Sequence, residues 1–276
     1  MKNVLILTAL ALSLAACAEA KSEAQAQQDA SAAQPATKTR PQANPQANPQ
    51  ARQSVTFQAT DGGTVYADVI RSGQAEAPLI ILFHQAGSNG RGEYANIFPR
   101  LVDNGYDVLL VDQRSGGSYY GSENRTVKAR GSSTKYCAAY PDLEGALRYA
   151  KTLRPEGPIF AWGSSYSAAL VLKLAGNHGD DLAGVLAFSP ATGRAMGPCN
   201  ANNFIKGVQI PALGMKPARE MDATGQAQQQ AFSAQGLDYY VAKDGVHGSS
   251  MLDPARTHKN VEPTWARTLA FLKTHA

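Results

Sequence analysis

Three serines interrupt an apolar stretch in the middle of the chain, in the segment PIFAWGSSYSAAL from Pro158 to Leu170. The apolar residues before the serines are typical of a buried strand, and the small and aliphatic residues after them are typical of a packed helix. The serines are therefore predicted to lie on a tight turn between a strand and a helix. Such a turn can hold a hydroxyl above a parallel sheet as a nucleophile, although glycine and serine are also ordinary turn residues.

Ser165 is the serine of this turn that best fits a nucleophile. The turn brings strand and helix close together, so the residues two before and two after the nucleophile must be small, and Gly163 and Ser167 meet this demand. A nucleophile one residue earlier would place Trp162 and Tyr166 at those positions, where they would clash. A serine hydroxyl is a poor nucleophile until a base takes its proton, so the sequence must also supply a histidine oriented by a carboxylate. A structural turn without catalysis is the alternative.

The segments around this turn alternate between strand and helix patterns. SVTFQAT and TVYADVIR flank Asp61-Gly62-Gly63 and predict an antiparallel hairpin. Apolar runs then alternate with helical patterns to the C-terminus, in the order APLIILFH, YANIFPRLVDNG, DVLLVD, PDLEGALRYAKTL, PIFAW, a helix to about Gly176, LAGVLAFSP, IPALGM, TGQAQQQAFSAQG, LDYYVA and PTWARTLAFLKTH. Alternation at this spacing predicts a parallel sheet covered by helices on both faces.

From about Gln53 to its end, the sequence resembles the α/β-hydrolase fold superfamily, with serine hydrolases of the esterase and dienelactone-hydrolase kind. The resemblance rests on this order of elements and on Gly163-x-Ser165-x-Ser167, which matches the Gly-x-Ser-x-Gly pattern of the family with a serine for the last glycine. It implies an α/β fold with a mostly parallel eight-stranded sheet, helices on both faces and a minimal lid. It also implies that nucleophile, acid and histidine follow in that order along the chain.

His247 is the histidine that fits this order. The family places the base just after the last strand, and of the five histidines only His247 lies there, after LDYYVAKDGV and at the start of HGSSMLDP. The family often has a His-Gly pair at this point. A histidine on a surface loop without a catalytic role is the alternative.

The acid is predicted to follow the next-to-last strand. No Asp or Glu lies between Ser189 and Gln209, so the connection after GVLAFSP cannot supply it, whereas IPALGMKPAREMDA can. In related sequences the acid is commonly the eleventh residue counted from an Ile-Pro pair, which here is Glu220, and Asp222 is the second candidate. Either carboxylate could instead be a favourable charge at the N-terminus of the following helix.

Two backbone N–H groups are needed to bind the oxyanion of an acyl-transfer intermediate. The resemblance assigns one to Tyr166, the residue after the nucleophile. It assigns the other to Ala86, in His84-Gln85-Ala86-Gly87, where the family usually has His-Gly-x and this chain has Gln85 in place of the glycine.

Two connections and two cysteines border the predicted site. The connection from Gln113 to about Tyr140 is long, and the one from 191 to 207 is short and has no long apolar helix that could act as a lid. Cys137 ends the first connection and Cys199 lies in the second, so a disulfide between them would tie both over the site. Two unpaired buried thiols are the alternative.

Four cationic residues of the long connection are candidates for binding a negatively charged substrate. They are Arg114, Arg125, Lys128 and Arg130. They could recognise an acidic group of a substrate, but a solvated loop face is the commoner explanation for such residues.

The N-terminal segment predicts secretion. Met1 and Lys2 precede the apolar segment VLILTALALSLAAC, which is too short to span a bilayer well and is typical of a signal peptide. Its last four residues, Leu14 to Cys17, resemble the lipobox of bacterial lipoproteins. This resemblance implies acylation of Cys17, and Ala18 after it implies the outer membrane. A plain cleavable signal is the alternative.

The predicted organisation is a lipoprotein signal peptide at 1–16, a disordered Ala/Gln/Pro-rich tether at 17–52 and an α/β-hydrolase domain at 53–276. With 276 residues, of which 43% are hydrophobic, the chain suits one sizeable core. The formal net charge of +4 is too weak to indicate nucleic-acid binding. No Cys-x-x-Cys, His-Glu-x-x-His or close His/Cys cluster supports a metal site.

The sequence therefore predicts a lipid-anchored, extracytoplasmic serine hydrolase that cleaves small carboxylic esters through an acyl-enzyme and needs no cofactor. A peptidase or amidase of the same fold is one alternative, because the same residues cleave amides. A non-catalytic ligand-binding lipoprotein is another, motivated by the departures from the family pattern at Gln85 and Ser167.

Overall fold

Eight strands form one sheet in the computed structural model, which describes residues 52–276. The predicted signal peptide, the lipidation site Cys17 and the tether up to residue 51 lie outside the described residues. The strands are β1 (Gln53–Gln58), β2 (Thr64–Ile70), β3 (Leu79–Phe83), β4 (Asp107–Asp112), β5 (Ile159–Ser164), β6 (Gly184–Phe188), β7 (Ala212–Pro217) and β8 (Asp238–Ala242).

The strand order across the sheet is β1-β2-β4-β3-β5-β6-β7-β8. β1 and β2 form the predicted antiparallel hairpin, and β2 also pairs antiparallel with β4. Every other neighbouring pair, from β4 through β3 to β8, is parallel. The mostly parallel eight-stranded sheet expected from the sequence is confirmed.

Helices cover both faces of this sheet. They are α1 (Gly90–Tyr94), α2 (Phe98–Asp103), α3 (Arg125–Arg130), α4 (Tyr140–Leu153), α5 (Tyr166–His178), α6 (Ala223–Ala234), α7 (Pro254–Thr257) and α8 (Glu262–His275). The connection after β6 contains three short 3-10 helices, Arg194–Cys199, Ala201–Asn203 and Ile205–Gly207, and no long helix that could act as a lid.

Alternate residues of each central strand belong to two separate cores. In β3, Leu79 and Ile81 pack with residues of α4, α5 and α6, whereas Ile80 and Leu82 pack with residues of α1, α2 and α8. Successive side chains of a strand point to opposite faces. Because both faces are buried, the central strands have continuous apolar runs instead of an alternating pattern.

One predicted helix begins later than expected. The pattern YANIFPRLVDNG predicts a helix from Tyr94, but Tyr94 is the last residue of α1, a short helix that the pattern did not include, and α2 begins only at Phe98. Pro99 lies in the first turn of α2. Proline lacks an N–H donor and disfavours the helical conformation at the residue before it, so it starts a helix more readily than it continues one.

The parallel strands bring their carboxyl ends to one edge of the sheet, where ligands of open α/β sheets bind. The ends of β3, β5, β6, β7 and β8 therefore supply the loops that contain the predicted site residues. Among residues 52–276, no helix is long and apolar enough to cross a membrane.

Candidate active site

Ser165 lies between β5 and α5 in a conformation that few non-glycine residues adopt, with φ 59° and ψ −114°. Its backbone N–H donates to the carbonyl of Phe188 at 2.8 Å. A Cβ at Gly163 would lie 2.3 Å from the main-chain oxygen of Ser167, so only glycine fits two residues before Ser165. The close passage of strand and helix holds the Ser165 backbone in its strained turn, which presents the hydroxyl at the carboxyl edge of the sheet.

His247 contacts both Ser165 and Glu220. Its Nε2 is 2.8 Å from Ser165 Oγ and its Nδ1 is 2.7 Å from Glu220 Oε1. Because a carboxylate only accepts hydrogen bonds, Nδ1 carries the proton in the neutral ring and Nε2 accepts from the serine hydroxyl. The structure thus brings together three residues that are far apart in sequence, in the order serine, base and acid across the site.

Glu220, and not Asp222, contacts the histidine. Burial by itself would raise the pKa of Glu220. The hydrogen bond from His247 and the nearby positive charges together outweigh this effect, so the pKa of Glu220 is lowered. The carboxylate of Asp222 instead caps α6, where its Oδ1 accepts from the N–H of Gly225 at 2.9 Å. The two acidic residues have separate positions, one in the site and one at a helix N-terminus.

The loop of His247 is held by Ser189, which sequence reasoning did not single out, and by Ser164, which it considered only as an alternative nucleophile. Ser189 follows β6 with φ 49°, and its hydroxyl accepts from the N–H of Gly248 at 3.0 Å. Ser164 Oγ accepts from the N–H of Ser249 at 2.9 Å. A signal for Ser189 was present in the sequence, since it is a lone hydroxyl at the end of a buried strand that faces the site.

The conformation and surroundings of Gly248 explain why a glycine follows His247. It has φ 66°, and a Cβ there would lie 2.4 Å from Ser164 Oγ. A larger residue would therefore push the loop of His247 away from the turn that holds the nucleophile.

The N–H groups of Ala86 and Tyr166 have no hydrogen-bond acceptor within residues 52–276. Tyr166 is the first residue of α5, where helical N–H groups lack intrahelical partners. Ala86 lies in the loop after β3. The N–H of the residue before it, Gln85, donates to the carboxylate of Glu93 at 2.5 Å. Both predicted oxyanion donors remain available to a ligand.

Ser167 replaces the second glycine of the family pattern without disturbing the turn. Its buried hydroxyl donates to the carbonyl of His84 at 2.6 Å and accepts from Gln113 Nε2 at 2.6 Å. His84 is buried, and burial lowers its pKa. Its Nε2 accepts from the Gln113 N–H at 3.1 Å, which fits a neutral ring. The Ser167 hydroxyl thus links the start of α5 to the ends of β3 and β4.

Two of the four cations in the long connection are paired with carboxylates, all of them buried except that of Asp61. Arg114 binds Asp61 and Asp142, and the hydrogen bond from Arg114 lowers the pKa of Asp61 to about 2. Arg125 binds Asp112 at 2.6 Å and Asp68 at 2.8 Å. These arginines fix the connection to the sheet instead of presenting free charge.

The other two cations of this connection are exposed at its far side. Lys128 pairs with Glu123 at 2.7 Å, and Arg130 ends α3. Neither borders the space next to the oxyanion loop.

A disulfide joins Cys137 and Cys199, with their Cα atoms 5.4 Å apart. It connects the 3-10 helix Tyr136–Ala139 to the 3-10 helix Arg194–Cys199. The two connections expected to border the site are therefore linked covalently, as the positions of the two cysteines in the sequence predicted.

A cavity of about 710 Å³ lies between these two connections and the oxyanion loop. Two other surface depressions are remote from Ser165, one at the opposite end of β7 and one beside the C-terminus of α4. Within residues 52–276, no group of three or more His, Cys, Asp or Glu side chains is placed to hold a metal ion.

Solved α/β-hydrolases share this structure at low sequence identity. An esterase of Pyrococcus furiosus has a TM-score of 0.65 and 17% identity, with 82% of this chain and 91% of that chain covered. A thermostable carboxyl esterase of Bacillus coagulans has a TM-score of 0.64 and 13% identity, with 82% and 99% covered. An acylaminoacyl peptidase of Pyrococcus horikoshii has a TM-score of 0.59 and 14% identity, with 81% of this chain but 41% of that chain covered. At such identities the similarity shows the fold.

No curated protein matches the sequence significantly. The model of the Hydrolase_4 family, described as serine aminopeptidase, S33, matches residues 74–241, which is more than half of the chain and extends from before β3 into β8. The chain therefore belongs to the Hydrolase_4 family of serine hydrolases.

Proposed function

We propose that this protein hydrolyses carboxylic esters through a Ser165–His247–Glu220 triad and an acyl-enzyme intermediate. The observation that carries the proposal is the position of His247, within hydrogen-bond distance of Ser165 on one side and of Glu220 on the other. A serine, a base and an orienting acid in this geometry are the requirements for an activated hydroxyl nucleophile.

Acylation begins when Ser165 Oγ attacks the ester carbon and passes its proton to His247 Nε2. The charge that develops on the carbonyl oxygen is bound by the N–H groups of Ala86 and Tyr166. Glu220 stabilises the imidazolium that forms, which its lowered pKa permits because the carboxyl stays ionised. His247 then protonates the leaving alcohol as the tetrahedral intermediate collapses.

Deacylation repeats these steps with water. His247, neutral again, takes a proton from a water molecule, and the hydroxide attacks the acyl carbon of the ester on Ser165. The second intermediate collapses with return of the proton to Ser165 and release of the acid. No group beyond this chain's own residues is needed in the proposed cycle.

An ester substrate is favoured over an amide by the extent of the structural matches. The two esterases are matched over 91% and 99% of their length, on 82% of this chain. The acylaminoacyl peptidase is covered over only 41% of its length. A peptidase or amidase is the second candidate, because the matching family model is described as serine aminopeptidase.

Covalent labelling tests the nucleophile directly. The purified full chain in detergent is treated with a fluorophosphonate probe, and the modified peptide is identified by mass spectrometry. We expect an adduct on Ser165 that is absent in His247→Ala, because that variant lacks the base. A folded wild-type protein without an adduct would contradict the triad and favour a non-catalytic, ligand-binding role.

Turnover then separates the two candidate reactions. We expect hydrolysis of short nitrophenyl esters and little cleavage of aminoacyl or peptide anilides. The opposite preference would identify a peptidase.

We also propose that Cys17 carries the lipid anchor that holds the enzyme outside the cytoplasm, at the outer membrane. The motif Leu14-Ala15-Ala16-Cys17 after an apolar signal supports this assignment. Incorporation of a labelled fatty acid that is lost in Cys17→Ser would agree with the proposal, and equal labelling of both proteins would contradict it.

A further inference from the structure

The cavity beside the oxyanion loop is formed by three parts of the chain. Gly87 supplies the first part, residues 115–116 and 133–137 the second, and residues 194–198 the third. The ring of Tyr136 in its wall stacks on the ring of Tyr166, with centroids 5.0 Å apart. No triad residue lines the cavity, but it borders the oxyanion loop at Gly87 and approaches Ser165 through the stack of Tyr136 on Tyr166, the residue after the proposed nucleophile. It therefore offers space for one arm of a substrate.

The charged side chains that line this cavity are all cationic. Lys135 and Arg194 are its only charged lining residues, and neither forms an ion pair with another residue of the described part of the chain. In contrast, Arg114 and Arg125 in the same long connection are neutralised by buried carboxylates. The cavity therefore presents two exposed cations above a floor that includes Tyr136.

The disulfide fixes the two cations relative to each other. Lys135 lies two residues before Cys137, and Arg194 lies at the start of the 3-10 helix that ends with Cys199. Ser133 adds a hydroxyl donor to the lining, and its oxygen accepts from the N–H of Gly116 at 3.1 Å. Cations and hydroxyls in a partly apolar space are the groups that bind a carboxylate at the end of a short chain.

We infer that this cavity selects ester substrates that carry a carboxylate, such as monoesters of a dicarboxylic acid. The inference rests on the proposed function, since it assigns the substrate class of the same site. Lys135 and Arg194 contact the carboxylate, while the aliphatic chain of the substrate lies against Tyr136 and Met196.

A matched pair of esters tests the inference. One is the mono-4-nitrophenyl ester of adipic acid, and the other is its neutral twin, in which the free carboxyl is a methyl ester. For the wild-type protein we expect kcat/KM to be about tenfold higher for the anionic ester, with a decline as salt is added, because ions screen exposed charges. Each of Lys135→Met and Arg194→Met is expected to reduce this preference about threefold through KM, the size of a partly exposed ion pair.

Lys206→Met is the matched control. Lys206 is an exposed lysine of the same connection as Arg194 but does not line the cavity, and its replacement is expected to leave the preference unchanged. Hydrolysis of both esters without a charge preference would overturn this inference alone. A lack of hydrolysis of either ester would overturn the proposed esterase function and this inference with it.

A second inference concerns Glu93, a carboxyl with no exposed surface next to the oxyanion loop. Its Oε2 accepts the N–H of Gln85 at 2.5 Å, and its Oε1 has no hydrogen-bond partner within residues 52–276. The side-chain oxygen of Gln85 is also buried without a donor. A buried network with two unpartnered acceptors has a place for one further proton.

Arg256 connects the segment of Glu93 to the loop of His247. Its guanidinium donates to the main-chain oxygens of Glu93 at 2.8 Å and Gly92 at 2.9 Å, and to Ser250 Oγ at 3.1 Å. The start of the oxyanion loop and the loop of the catalytic base are thus attached to one helix, α1.

Burial raises the pKa of Glu93 to about 7. The Ser164 hydroxyl, the Gln85 N–H and the charges of Arg256 and His247 oppose this effect but do not cancel it. The carboxyl of Glu93 therefore gains or loses its proton near neutral pH.

Two buried phenols are the other titratable groups near Glu93. They are Tyr94 and Tyr166, whose pKa values are raised by burial and, to a smaller extent, by the Glu93 charge. Because both remain neutral well above pH 7, they do not titrate together with Glu93.

We propose that Glu93 is a positioning residue whose ionised carboxylate holds the oxyanion loop through the Gln85 N–H, so that catalysis requires loss of a second proton besides that of His247. A charged acceptor makes a stronger hydrogen bond than its neutral form. The proposal rests on the proposed function, because it concerns the donors of that reaction.

The pH dependence of kcat on a neutral ester separates a positioning role from a purely structural one. For the wild-type protein we expect log kcat to fall below neutrality with a slope that approaches two. In Glu93→Gln, which keeps an acceptor oxygen but cannot ionise, we expect a slope of one, with kcat at pH 8 several-fold lower and KM nearly unchanged. Glu262→Gln, at an exposed ion pair with Arg100, is the control and keeps the wild-type profile.

A wild-type slope of one would overturn the proposal even if Glu93→Gln did not fold. A slope of two that persists in Glu93→Gln would also overturn it and leave Glu93 with a packing role. Absence of hydrolysis in the wild-type protein would contradict the esterase function and remove the basis for both inferences, the one on the cavity and the one on Glu93.

Discussion

Exchange of the two neighbouring carboxylates for amides distinguishes a catalytic acid from a helix cap. In Glu220→Gln, His247 keeps a neighbour of the same size but loses the negative charge that stabilises its protonated form. Two unit charges about 4 Å apart interact by about 4 kcal/mol at an effective dielectric constant of about 20. We therefore expect kcat to fall about 10³-fold, since about 1.4 kcal/mol corresponds to a factor of ten in rate.

Asp222→Asn is the matched control for this prediction. Asparagine caps a helix about as well as aspartate, so the contact with the N–H of Gly225 can be kept. We expect kcat within about twofold of the wild-type value and an unchanged urea midpoint.

The assay is steady-state hydrolysis of a short nitrophenyl ester at pH 8, with active sites counted by fluorophosphonate titration. A larger loss of kcat in Asp222→Asn than in Glu220→Gln would refute the assignment of the acid. A loss of less than about tenfold in Glu220→Gln would refute the electrostatic reasoning, because it would mean that water screens the pair almost completely.

Three further predictions concern stability. Ser167→Gly leaves the buried amide donor of Gln113 without its acceptor and is expected to cost about 1–3 kcal/mol of unfolding free energy, measured by urea denaturation, whereas a lower cost would show that water replaces the hydroxyl. Replacement of both Cys137 and Cys199 by serine releases a link across 62 residues and is expected to cost about 4 kcal/mol, with the same decrease when the wild-type protein is reduced. Because the pKa of Glu220 is lowered in the folded protein, its ionised form contributes stability that is complete above the unfolded pKa of about 4.3 and is lost as pH falls through the folded value. The difference in unfolding free energy between wild type and Glu220→Gln should accordingly shrink between pH 7 and pH 3, and a constant difference would contradict this linkage.

The fold and much of the site could be predicted because they depend on patterns that are local in sequence. Continuous apolar runs marked the buried parallel strands, and the small residues around Ser165 marked the tight turn. The helix predicted at YANIFPRLVDNG begins four residues late, because an apolar periodicity competes there with a proline within it. The helix begins at Phe98, so that Pro99 lies in its first turn. The short helices α1, α3 and α7 have too few residues to show a helical periodicity and were not predicted.

Contacts between distant parts of the chain were beyond prediction from local patterns. The buried Glu93 has an ordinary place in the sequence, two residues after Arg91, and its importance follows only from the loops that pack on it. Arg256 was missed for the same reason. Arg114 and Arg125 were considered as substrate ligands because their partners, such as Asp142 and Asp68, come from other segments.

The sequence by itself determined the order of strands and helices, the strand-helix turn that holds Ser165, and a short set of candidates for the base and the acid. Hydrophobic periodicity and turn chemistry act over a few residues and so revealed the elements and the turn, whereas the candidates for base and acid came from the chain order that the family resemblance implies. The choice of Glu220 over Asp222 as the neighbour of His247, the neutralisation of the loop arginines and the burial of Glu93 were decided only by the tertiary structure. Each depends on a distance between groups from separate loops, and hydrogen bonds and desolvation change steeply with such distances while leaving no trace in the local pattern of residues.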